Sequence, residues 1–181
     1  MTLHSFLAAG HETTATSLQW AILSLCQYPH MQTRLRDALS AAKISLAPST
    51  SFSSPVPITS EVIDNIPYLH AFCMEVLRLY SPVTLTLRIT ARTTTIQGHV
   101  IPKGTRVILG ISALNQDKAL WGADASEFNP DRWLSLSSTT DPSSAEETKV
   151  ERVNASGGAS SNYAFMTFLH GKLVSLFPDI V

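Results

Sequence analysis

Between Pro67 and Pro82 the chain puts two opposite charges into a segment with almost no polar face. A helix from Tyr68 to Tyr80, opened by Pro67 and stopped by Ser81-Pro82, carries Leu69, Phe72, Cys73, Val76, Leu77, Leu79 and Tyr80 around most of its circumference. Such a helix must pack on nearly every side. Yet it holds Glu75 and Arg78, three apart and therefore on adjoining ledges of one face. One reading is an ordinary surface pair. The apolar surroundings favour a buried one, and buried charges are tolerated only when paired and hydrogen-bonded. The pair then requires another cation or polar partner from elsewhere in the chain.

A second constraint lies in the first helical run, Thr2 to Tyr28, whose Leu7, Leu18, Ile22 and Leu25 recur at helical spacing before Pro29. Its middle, Ala9-Gly10-His11-Glu12-Thr13-Thr14, weakens the helix: Gly costs about 1 kcal/mol against Ala, and threonines lose rotamer freedom. Ala9, Gly10, Thr13, Thr14 and Ser17 share one face, a shallow notch of small and hydroxylated side chains flanked by Glu12. A notch of this kind suits either a helix crossing or the approach of a ligand.

The rest of the chain divides by pattern. His30 to Lys43 is an amphipathic helix, residues 44–58 form a Ser- and Pro-rich loop, and Thr59 or Ser60 caps a short helix through Ile66. From Val83 to Gly110 the alternation predicts a small meandering sheet, with turns at Gln97-Gly98 and Pro102-Lys103-Gly104. Arg88 lies on the polar side of its strand, either solvated or poised for an anion. Ile111 to Leu120 is a short helix, and Arg132, flanked by aromatic residues, is a plausible cation for Glu75. Residues 137–162 are a low-complexity, disordered insertion, after which 163–181 turns apolar again.

Bulk composition removes several classes. With 44% hydrophobic residues, 15% charged and a net charge of -1, nothing favours nucleic acid or an anionic membrane surface. No apolar run reaches the length of a transmembrane helix. Cys26 and Cys73 read as small buried hydrophobes. His11-Glu12 is no zinc helix, since Ala15 stands at the second histidine position; Gly110-Ile111-Ser112 lacks the second glycine of a nucleophile elbow; and Gly157-Gly158 follows no strand.

Four motifs occur in order: Ala9-Gly-His-Glu-Thr-Thr14, Glu75-Val-Leu-Arg78, Arg88 six residues after Pro82, and Phe128-Asn-Pro-Asp-Arg132. Together they resemble the C-terminal part of a cytochrome P450, a heme-thiolate monooxygenase, of the eukaryotic microsomal type. The resemblance implies a mainly α fold with a small β-sheet (α+β), truncated here, with residues 1–136 as partial core. It implies a heme b cofactor, a small organic substrate, dioxygen, an electron-donating reductase, and an endoplasmic reticulum membrane setting whose anchor is absent from this chain. By the same resemblance, Ala9 and Gly10 border the oxygen pocket, and Glu12 and Thr13 relay protons. Arg88 binds a heme propionate. Glu75, Arg78 and Arg132 form a structural triad.

The family's heme loop has the pattern F-x-x-G-x-R-x-C, whose cysteine thiolate is the axial iron ligand. Phe168-Leu169-His170-Gly171-Lys172 begins it, but Leu173 takes the arginine position and Ser175 the cysteine position. The expectation is a chain of monooxygenase descent that is inactive as it stands; the alternative is a non-catalytic fragment or binding remnant without heme. His170 is a remote substitute ligand. Met1 leads into a helix without a cap, so the sequence reads as a product of a gene model cut at both ends, with Gly171-Lys172 encoded by an unremoved splice donor. This predicts a spliced transcript that does not encode Leu173 onward as it stands; amplifying and sequencing the message checks it, and one encoding Leu173 onward unchanged refutes it.

Overall fold

The computed structural model describes residues 3–46, 59–140 and 147–169. It is about half helix with small antiparallel ladders, an α+β arrangement built around one central helix. Helices α1 (Leu3–Gln27), α2 (Pro29–Leu46), α3 (Ser60–Asp64) and α4 (Pro67–Leu79) come first. Strands β1 (Thr86–Ile89), β2 (Thr94–Ile96), β3 (His99–Ile101) and β4 (Arg106–Leu109) follow. Helices α5 (Ile111–Asn115) and α6 (Lys118–Trp121), a 3-10 turn (Pro130–Trp133), and strands β5 (Leu134–Thr140) and β6 (Glu147–Val153) complete it. The expected 44–58 loop starts later, because α2 extends through Leu46; residues 47–58 lie outside the described set.

Pro67 occupies the first turn of α4, where its missing N–H costs nothing. Tyr68, Ala71, Phe72, Glu75, Val76, Arg78 and Leu79 are buried, so packing does reach α4 from several sides. One cluster sets Ala71 with Trp121, Ala125, Trp133 and Ala164; the other sets Phe72, Val76 and Leu79 with Phe128. Helix α1 reaches α4 through Trp20, stacked on Tyr80 at 4.2 Å between ring centroids and 2° between planes. Tyr28, just after α1, stacks on Phe128. Arg34 of α2 lies over the Tyr68 ring at 4.2 Å and pairs with Asp131 and with Glu151 of β6, drawing the β5–β6 hairpin against the helices. Burial lowers the Arg34 pKa, but the two carboxylates outweigh it and the net shift is upward.

Four expectations need correction. The strands between Val83 and Gly110 form two separate ladders instead of one meander. β1 pairs with β4 (Thr86 opposite Leu109), and the β2–β3 hairpin, turned by Gln97 and Gly98 at positive φ, is inserted between them. The single helix over Ile111–Leu120 is split in two, since Asp117 caps α6 by accepting from the Ala119 N–H at 2.8 Å. The Ser- and Thr-rich stretch expected to be disordered contributes β5 and β6 in register from Leu134–Val153 to Thr140–Glu147. The ladder sets Leu134 opposite Val153, and its threonines suit extended chain, where polar composition alone suggested no strand. Finally, Cys26 and Cys73 are exposed. Neighbouring groups nonetheless desolvate the Cys73 thiol and raise its pKa, which disfavours the thiolate.

Leu7, Leu18 and Ile22 of α1 are each about 60% exposed (61%, 58% and 62%), and among the described residues no helix is long and apolar enough to cross a membrane. Exposed apolar side chains concentrated on one helix, with Trp20 and Leu23 also open beside Leu18 and Ile22, favour association. The isolated chain is expected to elute from size exclusion as oligomers at micromolar concentration; a monomeric peak with a sharp reversible melt refutes this. A second prediction concerns Gly157, at φ +58, where an added Cβ would stand 2.8 Å from the buried Trp133 ring. Gly157→Ala is expected to cost about 1–3 kcal/mol by overpacking on top of the left-handed backbone cost that it shares with Gly158→Ala. Gly158→Ala, at φ +75 with nothing within 4 Å, should show only the left-handed backbone cost of about 1–2 kcal/mol. Denaturant midpoints of the two variants compare them.

Candidate functional site

The carboxylate of Glu75 is wholly buried and accepts five hydrogen bonds. Arg78 Nε donates to Oε2 and Nη2 to Oε1, both at 2.8 Å. Arg132 Nε reaches Oε1 at 3.1 Å, the Asn129 N–H reaches it at 2.9 Å, and Trp133 Nε1 reaches Oε2 at 2.9 Å. The further cation required by the sequence is thus Arg132, brought in by the 3-10 turn that Pro130 and the Asn129 side chain start. Arg78 spends its remaining donors on the carbonyls of Asn115, Ala125 and Glu127, so all five of its N–H groups are used. Arg132 also pairs with Asp124 at 2.8 Å, making two cations and two carboxylates in one network. Trp121 lies under both guanidiniums, 5.1 Å from Arg78 and 6.0 Å from Arg132. Glu75, Arg78 and Arg132 are closed off from solvent and Asp124 is half-exposed at the network's edge; the network joins α4 to the 124–133 segment.

A cavity of about 490 Å³ lies on the other side of α4, within the range of small-molecule and cofactor sites. Thr13, Thr14 and Ser17 of α1 form one wall. Leu77, Pro82, Val83, Thr86 and Ile111 form the next, and Thr167, Phe168 and Leu169 close it. The hydroxyls of the α1 notch are turned onto the helix itself: Thr13 Oγ1 donates to the Ala9 carbonyl at 2.7 Å, and Ser17 Oγ to the Thr13 carbonyl at 3.0 Å. Leu169 has φ 63, a conformation uncommon outside glycine that bends the chain at the cavity wall.

The sequence-derived residues distribute unevenly around this cavity. Thr13 and Phe168 line it. Glu12 is exposed one residue from Thr13. Arg88, also exposed, is one hydrogen bond from the wall, its Nη1 donating to Thr86 Oγ1 at 3.1 Å. Ala9 meets the site only through its carbonyl, and Gly10 is exposed with no neighbour within 4 Å of an added Cβ. Gly171, Ser175 and the alternative ligand His170 lie outside the described residues. Among the described residues no three His, Cys, Asp or Glu side chains cluster as a metal site, and neither cysteine lines the cavity. The walls suit a flat apolar macrocycle and Arg88 suits its carboxylates, while the lining supplies no thiolate. Sequence reasoning missed Trp133 and Asn129 as partners of Glu75, and Asn115 and Thr167 altogether. Buried polar groups need partners, but a sequence does not say which distant amide supplies them.

The buried ion network thus lies behind a cleft walled in part by the hydroxyl notch of α1. The cytochrome P450 family profile matches residues 1–171, and the chain belongs to the cytochrome P450 family. It is 46% identical over 169 residues to the cytochrome P450 monooxygenase sphH of Aspergillus fumigatus, and 41% identical over 187 residues to FUM15 of Gibberella moniliformis, also a cytochrome P450 monooxygenase. Each comparison covers 93% of this chain, which spans 28% and 31% of those relatives' lengths. A solved zebrafish cytochrome P450 with progesterone aligns with a TM-score of 0.58 and 30% identity, over 70% of this chain and 28% of that one.

Removing the carboxylate should be costly because it strands two buried guanidiniums. Glu75→Ala is expected to destabilise by about 3–5 kcal/mol, read from chemical denaturation. Asp124 yields a pH prediction. Desolvation raises its pKa, but Arg132 and the Asn129 side chain outweigh it and hold the carboxyl below its ordinary value. Its stabilising contribution is therefore complete above about pH 4 and is lost as pH falls through the depressed pKa. Asp124→Asn should flatten the loss of stability between about pH 4 and pH 2; equal acid sensitivity in variant and parent refutes this.

Proposed function

We propose that this polypeptide is the heme-cradling portion of a monooxygenase and that, with serine at the thiolate position, it is inactive as it stands. The observation that carries the cradle is the juxtaposition of the Thr13–Ser17 notch and the Thr167–Leu169 wall around one cleft, with exposed Arg88 hydrogen-bonded to the lining residue Thr86. Heme b held there would, in a chain that also supplied the axial thiolate, provide the dioxygen activation that inserts one oxygen atom into an organic substrate. The chain's own residues take simpler parts. Arg88 pairs with a propionate through a charge-assisted hydrogen bond. Phe168 and Leu77 exclude water and pack on the macrocycle. Thr13 holds a proton on Oγ1 close to the cleft, and Glu12, one residue away at the surface, exchanges protons with solvent. Glu75, Arg78 and Arg132 keep the cleft's floor in place.

The second reading, a non-catalytic fragment or binding remnant without heme, is favoured by the family match ending at Gly171, just before Leu173 and Ser175 depart from the loop pattern. A serine hydroxyl is a poor donor to iron compared with a thiolate. Titration with hemin and the carbon monoxide difference spectrum of the reduced form decide between them. The expected result is hemin uptake without a thiolate-type Soret band, and appearance of that band in the Leu173→Arg/Ser175→Cys variant. A thiolate-type band in the unaltered chain overturns the inactive reading, and no hemin uptake by either protein overturns the cradle.

A further inference from the structure

We infer that Asn115 is the positioning residue that fixes the Thr167–Leu169 wall of the cavity to α4, an inference that rests on the cradle reading above for its functional consequence. Asn115 ends α5 and is wholly buried. Its side chain makes three hydrogen bonds. Nδ2 donates to the Arg78 carbonyl at 3.0 Å and to Thr167 Oγ1 at 2.9 Å; Oδ1 accepts from the Met166 N–H at 2.9 Å. Thr167 Oγ1 in turn donates to the Leu77 carbonyl at 2.8 Å. The carbonyl of Asn115 itself accepts from Arg78 Nη1 at 2.6 Å.

The chemistry of these partners leaves little choice of residue. A backbone carbonyl only accepts and a backbone N–H only donates, so the group between them must offer both functions in one short planar unit. The same requirement settles which end of the amide is oxygen. Leucine would leave the Arg78 carbonyl and the Met166 N–H buried without partners, and aspartate has no donor for the carbonyl. Asn115 therefore links three things: the buried ion network through Arg78, α4 through Leu77 and Arg78, and the Met166–Thr167 segment leading into the wall. Leu77 and Thr167 both line the cleft. The amide thus sets the width of the cavity on that side, at the point where the chain turns into the loop that begins with Phe168.

Hydrogen exchange and hemin titration of the full chain and its Asn115→Ala, Thr167→Val and doubly substituted forms test this. Asn115→Ala is expected to speed exchange of the Met166 and Leu169 amides while those of α4 keep their protection. Each single substitution should weaken hemin binding by about five- to tenfold, the equivalent of one or two lost buried hydrogen bonds. The double substitution should weaken it no more than the worse single one, because both groups act in one chain of bonds. Unchanged exchange at Met166 and Leu169 in Asn115→Ala, or losses that simply multiply in the double variant, overturn the inference. If Asn115→Ala loses protection throughout α4, Thr167→Val decides alone: faster local exchange supports the inference and unchanged exchange refutes it. Failure of the unaltered chain to take up hemin overturns the cradle reading, while the exchange comparison still decides the role of Asn115.

Discussion

The fold depends on a single carboxylate. Glu75 has lost its water entirely and receives five donors in return, from its own helix, from the 3-10 turn and from an indole. Burying charge does not by itself favour folding, since desolvation offsets most of the attraction. What it does is make geometry compulsory. Any arrangement that leaves Arg78 or Arg132 without this acceptor costs several kcal/mol, so the order of α4, α5 and the 124–133 segment becomes one solution among few. The apolar clusters on either side supply the bulk attraction, and the ion network selects the register in which they meet.

Much of this was legible in the residues, for identifiable reasons. The helix at Pro67–Leu79 announced itself by proline before and after it and by an apolar surface without a seam. The demand for a third charge followed from two charges where there should be none, and Arg132 was a reasonable candidate because aromatic residues flank it. The β-structure was read less well. Alternation locates strands but does not pair them, and only the backbone shows that β1 passes over β2 and β3 to meet β4. The β5–β6 hairpin was missed because serine and threonine were counted as loop formers, although β-branched threonine and interspersed Leu and Val also suit a ladder.

The cleft was legible in part. The notch on α1 and the Phe168 loop are local signals, each visible in a few residues. Their meeting across α4 is not local, and neither is the amide that spaces them. Asn115 looks unremarkable in Ala113-Leu114-Asn115-Gln116, a polar residue at the end of a short helix, until Arg78 and Met166 close on it from opposite sides. Gly10 shows the converse: a local anomaly that here faces open space. The family match covers the cleft-forming residues and stops at Gly171.

The spacing of Glu75 from its partners has a consequence for biosynthesis. Trp133 lies 58 residues after the carboxylate it donates to. At the usual pace of translation, about 5–20 residues per second, the ribosome takes about 3–12 seconds to add that stretch. For the first 53 residues of that stretch the nascent α4 carries an apolar girdle and an acid that only Arg78, of its final partners, can reach, since Asn129 comes 54 residues after Glu75. Chaperone contact with the emerging chain is the natural way to occupy that surface until the tryptophan arrives.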